Sequence, residues 1–157
     1  MTVMLGIDPG LAITGFGFVE QVSGTLNPIT WGAITTPANT PLGERLATIY
    51  ADLTALIHRY KPTHMAVESL FFNTNVRTAF LVGQARGIML LAGQQAGLPV
   101  ADYTPLQVKQ GVTGYGGADK KQVQYMVQQL LRLPQIPKPD DVADALAVAV
   151  CGLTAVR

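Results

Sequence analysis

An apolar segment near the start of the chain, Val3 to Ile7, runs directly into an acidic residue and a turn. A short apolar run of this kind is typical of a strand that is buried on both faces. Asp8 ends that strand, and Pro9-Gly10 then turns the chain. Carboxylates are rarely buried unless they are paired or bound to a cation. Asp8 is therefore either the cap of a turn or one member of an acidic site, and the second interpretation requires other acids to reach the same place.

The periodicity of the first seventy residues predicts a mixed sheet. Residues 14–20 and 27–36 alternate in the manner of strands, which predicts a three-stranded antiparallel start. Residues 41–60 have apolar side chains at helical spacing, and residues 63–68 form another buried strand that ends at Glu68. Because a helix between two strands allows parallel pairing, this strand is expected to lie parallel to the first.

The remainder of the chain is predicted to add one strand, one loop and four helices. They are helix 76–96, strand 99–103, a helix capped by Thr104-Pro105, a mobile glycine-rich loop 111–117, a helix from about Asp119 and a last helix 141–154. The predicted fold class is α/β, with a mixed central β-sheet (three antiparallel strands, then parallel strands) and helices on both faces. Residues 1–157 are predicted to form a single domain.

Composition excludes several classes of protein. The 157 residues are 48% hydrophobic and 13% charged, which indicates a folded globular chain. The first residues lack the basic flank of a signal peptide, and the longest apolar run, 145–156, is too short to span a bilayer. Cys151 is the one cysteine, so an internal disulfide is impossible and a core position is expected. We therefore predict a cytoplasmic protein.

Four acids are predicted to converge. Asp8 and Glu68 end two strands that are expected to be parallel, so their side chains can meet at one edge of the sheet. Asp141 and Asp144 are three residues apart at the start of the last helix and so share one face. Acids in a first helical turn can simply complement the helix dipole. The residues around this pair are apolar, however, which indicates that the acidic face points toward the body of the protein.

Such a cluster of carboxylates predicts a site for hard divalent cations. Like charges raise one another's pKa, and Mg²⁺ relieves the repulsion through oxygen ligands. Two such ions can activate water and stabilise the leaving oxygen of a phosphodiester. Zinc is not expected, because His58 and His64 are close in sequence neither to each other nor to Cys151. Setting the four acids aside leaves a surface with more basic than acidic residues, which suits a polyanionic partner.

The sequence resembles the RuvC-type Holliday-junction resolvases over almost its whole length. The segments that carry the resemblance are Gly6–Gly10, Ala66–Glu68, Phe71–Asn73, Gly83–Gly87, Gln107–Gln110 and Asp141–Leu146. The resemblance implies an RNase H-like fold and a homodimer. It also implies a metal-dependent endonuclease that makes paired, symmetric nicks in four-way DNA junctions during homologous recombination and DNA repair.

The same resemblance implies roles for individual residues. Asp8, Glu68, Asp141 and Asp144 correspond to the catalytic, metal-binding acids, which hold two Mg²⁺ ions per active site with Mn²⁺ as the expected substitute. Partners implied by the family are junction DNA and a branch-migration motor of the RuvA and RuvB type.

Seven residues are predicted to contact DNA. The resemblance assigns Lys109 and Lys120 to DNA contacts and Phe71 to the junction-facing aromatic. The remaining four, predicted from their positions near the site, are Phe72, Arg77, Tyr115 and Lys121. Aromatic residues would stack on splayed bases and lysines would contact phosphates. Simpler interpretations stay open: Phe71-Phe72 as a local hydrophobic plug, the lysines as ordinary helix-end cations, and Arg77 or Arg86 as partners in surface salt bridges.

Two further alternatives concern assembly and function. Gly83 and Gly87 lie inside a predicted helix at close-packing spacing, which indicates close approach by another element of the chain or by a second subunit. The carboxylates alone also fit an RNase H-like nuclease acting on RNA, as in ribosomal-RNA processing, and the basic surface fits a non-catalytic junction-binding protein. An actin-like ATPase or sugar kinase shares only the opening turn.

Overall fold

The computed structural model describes residues 1–69 and 75–156, which form one five-stranded sheet and five helices. The strands are β1 (Thr2–Asp8), β2 (Ile13–Val22), β3 (Thr25–Thr35), β4 (His64–Glu68) and β5 (Val100–Tyr103). The helices are α1 (Leu42–Tyr60), α2 (Val76–Gln95), α3 (Pro105–Thr113), α4 (Lys120–Leu131) and α5 (Asp140–Ala155). None of the helices in these ranges is long and apolar enough to cross a membrane.

The sheet is mixed, as the periodicity predicts. Its strand order is β3-β2-β1-β4-β5; β1, β2 and β3 pair antiparallel, whereas β4 is parallel to both β1 and β5. Ile7 of β1 is paired with Val67 of β4. The next residues along these strands, Asp8 and Glu68, therefore reach the same edge of the sheet.

Helices cover both faces of the sheet. One core cluster joins the sheet to α3, α4 and α5, and a second joins it to α1 and α2. β1 lies at the centre and is buried from Val3 to Asp8, in agreement with its uninterrupted apolar sequence. The predicted α/β class with helices on both faces is confirmed.

Glycines allow α5 to lie directly against the sheet. A methyl group added at Gly6 would overlap the carbonyl oxygen of Ala145, and one added at Gly15 would overlap the carbonyl oxygen of Asp141. At Gly17 the added carbon would lie 2.6 Å from Cδ2 of Leu146. The start of α5 is thus fixed by backbone contacts against β1 and β2, which the strand pattern alone does not reveal.

The prediction of a loop over residues 111–117 is wrong at its beginning. α3 continues to Thr113, and Gly114 ends it with a left-handed backbone conformation. Val112 is buried in the core, and Gly111 packs against Cys151 of α5, where an added Cβ would lie 2.8 Å from the Sγ atom. The glycine that suggested a loop instead allows two helices to pack closely. Thr104 is the N-cap of α3, as predicted, and forms a capping box. Asp119, near which the next helix is predicted to begin, is the N-cap of α4 and also forms a capping box.

Replacing Gly15 by Ala is expected to destabilise the fold by roughly 1–3 kcal/mol, because the added methyl forces α5 away from β2. Urea unfolding followed by circular dichroism measures this change. Gly43→Ala is the matched control, since Gly43 is an exposed residue of α1 and a Cβ added there meets no described atom within 4 Å outside the adjoining helix backbone. Equal stability of the two variants would show that α5 does not depend on this contact.

Candidate active site

Asp8 and Glu68 stand side by side at the edge of the sheet, where Asp8 is buried and Glu68 is half-buried. Asp8 is only 8% exposed, and its pKa is raised to about 8 by burial first, then by repulsion from Glu68 and from Asp144 and Asp141. The pKa of Glu68 is raised to about 7 by burial and by repulsion from Asp144. Both carboxyls thus have pKa values in the neutral range, which is typical of catalytic or ion-binding sites.

α5 brings the other two predicted acids to this edge. Asp141 and Asp144 are half-buried in its first two turns, and the residues between them, Val142 and Ala143, are buried. Burial raises the pKa of Asp144, although the ammonium of Lys120 acts in the opposite direction. The sequence-based prediction that the acidic face points inward therefore agrees with the position of this helix. Glu68, Asp144 and Asp141 all raise the pKa of Asp8 by repulsion, so the four acids form one electrostatic cluster.

Lys120, the first residue of α4, lies beside the acids. Its Nζ atom is 3.3 Å from Oδ2 of Asp140 and 3.7 Å from Oδ2 of Asp144. Asp140 is exposed, and its pKa is lowered by Lys120 and by Lys138, whose Nζ lies 3.4 Å from Oδ1. Asp140 is a member of the site that sequence reasoning missed. The available signal was its position directly before Asp141 in the same helical turn.

A cavity of about 200 Å³ joins the acids to two predicted DNA-binding lysines. Glu68, Asp144, Lys109 and Lys120 all line it. Lys109 comes from α3, whose start is fixed by the Thr104 capping box, and its side chain is half-buried. The cavity therefore combines carboxylates and ammonium groups from four separate elements of the chain, which suits a ligand that carries both metal ions and phosphate.

The other predicted DNA contacts are distributed around this centre. Tyr115 and Lys121 line a separate cavity of about 440 Å³ on α4, together with Tyr125. Arg77 is exposed in the first turn of α2. Phe71 and Phe72 lie outside the described residues. Arg86, which sequence reasoning left open between a DNA contact and a salt bridge, forms an ion pair with Asp102.

The donors of the cluster fit a hard cation. All four carboxylates supply oxygen, the ligand type that Mg²⁺ and Mn²⁺ prefer. Within residues 1–69 and 75–156, no three or more His, Cys, Asp or Glu side chains are grouped as ligands of a metal ion. One or two carboxylates per ion, completed by water and phosphate, is the usual coordination of Mg²⁺.

Comparisons with known proteins identify the family. The family model described as crossover junction endodeoxyribonuclease RuvC matches residues 4–152. The chain is 60% identical over 149 residues to the crossover junction endodeoxyribonucleases RuvC of Desulforamulus reducens and Heliobacterium modesticaldum. These alignments cover 95% of this chain and 91% and 92% of the two relatives, respectively.

Solved structures agree with the sequence comparisons. The structure of Thermus thermophilus RuvC in complex with a Holliday junction substrate superposes with a TM-score of 0.95 at 37% identity, covering 100% of this chain and 96% of that one. The yeast mitochondrial Holliday junction resolvase Ydc2 shares the fold, with a TM-score of 0.71 at 12% identity over 98% of this chain and 78% of that one. The chain therefore belongs to the RuvC family of crossover junction endodeoxyribonucleases, metal-dependent nucleases that resolve Holliday junctions.

Proposed function

We propose that residues 1–157 act as one nuclease domain that nicks four-way DNA junctions through two-metal hydrolysis. In this proposal the metal ligands and catalytic groups are Asp8, Glu68, Asp141 and Asp144. The observation that carries it is the pair of carboxyls at the ends of β1 and β4, Asp8 buried and Glu68 half-buried, whose pKa values of about 8 and about 7 reflect burial and repulsion from neighbouring acids. Groups of this kind are stable as anions only beside compensating positive charge.

Mg²⁺ is the proposed cofactor, with two ions per active site and Mn²⁺ as a substitute. When bound, the ions would activate the attacking water and stabilise the leaving oxygen of the phosphodiester. The protein supplies rigidity: Asp8 and Glu68 are held by the β1–β4 pairing, while Asp141 and Asp144 are fixed by the contact of α5 with the sheet. Lys120 offsets part of the negative charge, because it pairs with Asp144 and Asp140.

The DNA surface is proposed to surround this centre. Lys109 and Lys120 line the acidic cavity and would contact phosphates that enter it. Tyr115 and Lys121 would contact DNA at the beginning of α4, and Arg77 would do so at the start of α2. For Phe71 and Phe72 the support is the sequence resemblance and their position between Glu68 and α2.

A homodimer is proposed to form through α2. Its exposed apolar residues Val76, Phe80 and Leu91 are 85%, 67% and 45% exposed, respectively, and their spacing places them on one side of the helix. Gly83 and Gly87 lie on the same side, and apart from the adjoining backbone of α2 itself no atom of the described chain lies within 4 Å of a Cβ added at either position. Of the two alternatives left open by the sequence, approach by a second subunit is therefore favoured.

Two-fold symmetry would suit the paired nicks, because a dimer presents two identical sites to the two strands to be cut. We further propose a cytoplasmic location and cooperation with a branch-migration motor of the RuvA and RuvB type. Both proposals are supported by the resemblance to the RuvC-type Holliday-junction resolvases of bacteria.

Without divalent cations, the free energy of unfolding is expected to fall as the pH rises. Unfolded carboxyls ionise near pH 4, whereas Asp8 and Glu68 in the folded protein ionise near pH 8 and 7. Between these limits the folded state binds more protons, so metal-free stability falls as pH rises. A difference of one pKa unit corresponds to about 1.36 kcal/mol, so the whole rise in the pKa of Asp8 sets an upper limit for the effect. At pH 8 in EDTA, Asp8→Asn should therefore be more stable than the parent by about 1–3 kcal/mol, which is below that limit.

Thermal unfolding at several pH values measures this effect. The gain should disappear near pH 4, and Mg²⁺ should stabilise the parent more than Asp8→Asn. Asp52→Asn is the matched control, because Asp52 is exposed on α1. If Asp8→Asn shows no gain at pH 8, repulsion at Asp8 does not oppose folding.

Asp8→Asn should abolish cleavage of a synthetic four-way junction in Mg²⁺ while junction binding is retained. Loss of several kcal/mol of transition-state stabilisation corresponds to a rate decrease of roughly a thousandfold or more. The assay compares the junction with linear duplex and RNA–DNA hybrid, with and without Mg²⁺ or Mn²⁺. Cleavage by the variant at a comparable rate would remove Asp8 from the ligand set, and faster cutting of the hybrid by the parent would favour the RNA nuclease.

Phe80→Glu is expected to disrupt the dimer, because a charge would be buried at the centre of the apolar side of α2. Light scattering should then give a single-chain mass of 16.7 kDa where the parent gives twice that mass. Val22→Glu introduces the same charge at another exposed apolar residue, at the end of β2, and should leave the dimer intact. A dimeric Phe80→Glu protein would exclude this side of α2 as the interface.

A further inference from the structure

A chain of hydrogen bonds holds the turn that follows Asp8. The hydroxyl of Thr36, a buried residue, donates to the carbonyl oxygen of Leu11 at 2.6 Å. Arg45 of α1 in turn donates from Nε to the Thr36 hydroxyl oxygen at 2.9 Å and from Nη2 to the Thr36 carbonyl oxygen at 3.3 Å. The guanidinium of Arg45 is thus fixed in orientation beside the turn between β1 and β2.

This guanidinium is not neutralised by any described part of the chain. Within residues 1–69 and 75–156, the side-chain ion pairs involve Arg86, Lys120 and Lys138, and none involves Arg45. Its contacts are with neutral oxygens of Thr36, which use Nε–H and one N–H of Nη2. A guanidinium has five N–H donors, so three remain for another acceptor.

Arg45 borders a cavity of about 430 Å³ that extends the active site on its other flank. The cavity is lined by residues 10–13 of the turn, by Thr78 and Leu81 of α2, and by Asp141 of the acidic cluster. The first cavity, which is lined by Lys109 and Lys120, is also lined by Glu68 and Asp144 of the same acidic cluster. Each of the two cavities next to the acids is therefore also lined by a cationic side chain: Lys109 and Lys120 line one, and Arg45 lines the other.

We propose that Arg45 binds a backbone phosphate of the DNA strand that passes the acidic cluster, next to the phosphate that is cut. A guanidinium held in one orientation matches the paired oxygens of a phosphodiester, which a flexible ammonium group does not. Its charge also offsets the repulsion between that phosphate and Asp141. The inference rests on the proposed junction-cleaving site and adds a positioning residue to it.

The test separates the charge of Arg45 from its hydrogen bonds to Thr36. Arg45→Gln removes the charge but keeps N–H donors that can reach Thr36, whereas Arg45→Lys keeps the charge. Binding to a fluorescent four-way junction is measured by anisotropy over roughly 50–200 mM salt in EDTA, the range in which counterion release is large. Lys109→Ala serves as the reference for loss of a phosphate contact, and thermal unfolding confirms that each variant is folded.

Arg45→Gln should weaken junction binding roughly tenfold at 0.1 M salt and lower the slope of log K against log salt by about one. Arg45→Lys should keep the slope of the parent. A parental slope in Arg45→Gln, whatever its thermal stability, would overturn the inference and leave Arg45 as a clamp of the turn. The parent itself is tested for junction cleavage in Mg²⁺: if it cuts, a negative result concerns Arg45 alone, and if it does not cut, the proposed function fails first.

Discussion

The backbone of α5 lies directly against β1 and β2, because Gly6, Gly15 and Gly17 have no side chains to hold it away. This contact fixes the depth and the position of the first turns of α5. The β1–β4 pairing independently fixes Asp8 and Glu68 at the edge of the sheet. Four carboxylates are therefore held close together by two rigid parts of the fold, and neither part can easily move to relieve their repulsion.

The electrostatic consequence is a site that requires positive charge. Raised pKa values at Asp8, Glu68 and Asp144 show that burial and repulsion oppose full ionisation. A polyanionic substrate adds to that repulsion when it approaches. Divalent cations bound by the carboxylates, Lys120 at Asp144 and the proposed contact from Arg45 beside Asp141 would together let a DNA strand pass the cluster. In the proposed function, metal binding and DNA binding would be coupled through the same carboxylates.

Much of this site could be predicted from the sequence, because strand ends and helix starts are local signals. Asp8 and Glu68 follow apolar runs, and Asp141 is in the first turn of a strongly apolar helix. The contribution of Gly15 could not be predicted, since a glycine in a strand gives no indication of which element will approach it. The loop boundary was wrong for the same reason: Gly111 indicated a turn, whereas its contact with Cys151 lies within packed helices. Arg45 depends on Thr36 and Leu11, which precede it in separate elements, and no local pattern reveals this contact.

We propose that the fold holds these four carboxylates as one divalent-metal site. Crystals of the protein soaked in Mn²⁺ and measured at the manganese absorption edge test it directly, because anomalous scattering locates the ions independently of any assay. Two anomalous peaks about 3.5–4 Å apart are expected, bounded by Asp8, Glu68, Asp141 and Asp144. If no peak is found at this edge of the sheet, or if peaks are found only elsewhere, the four carboxylates are not a divalent-metal site.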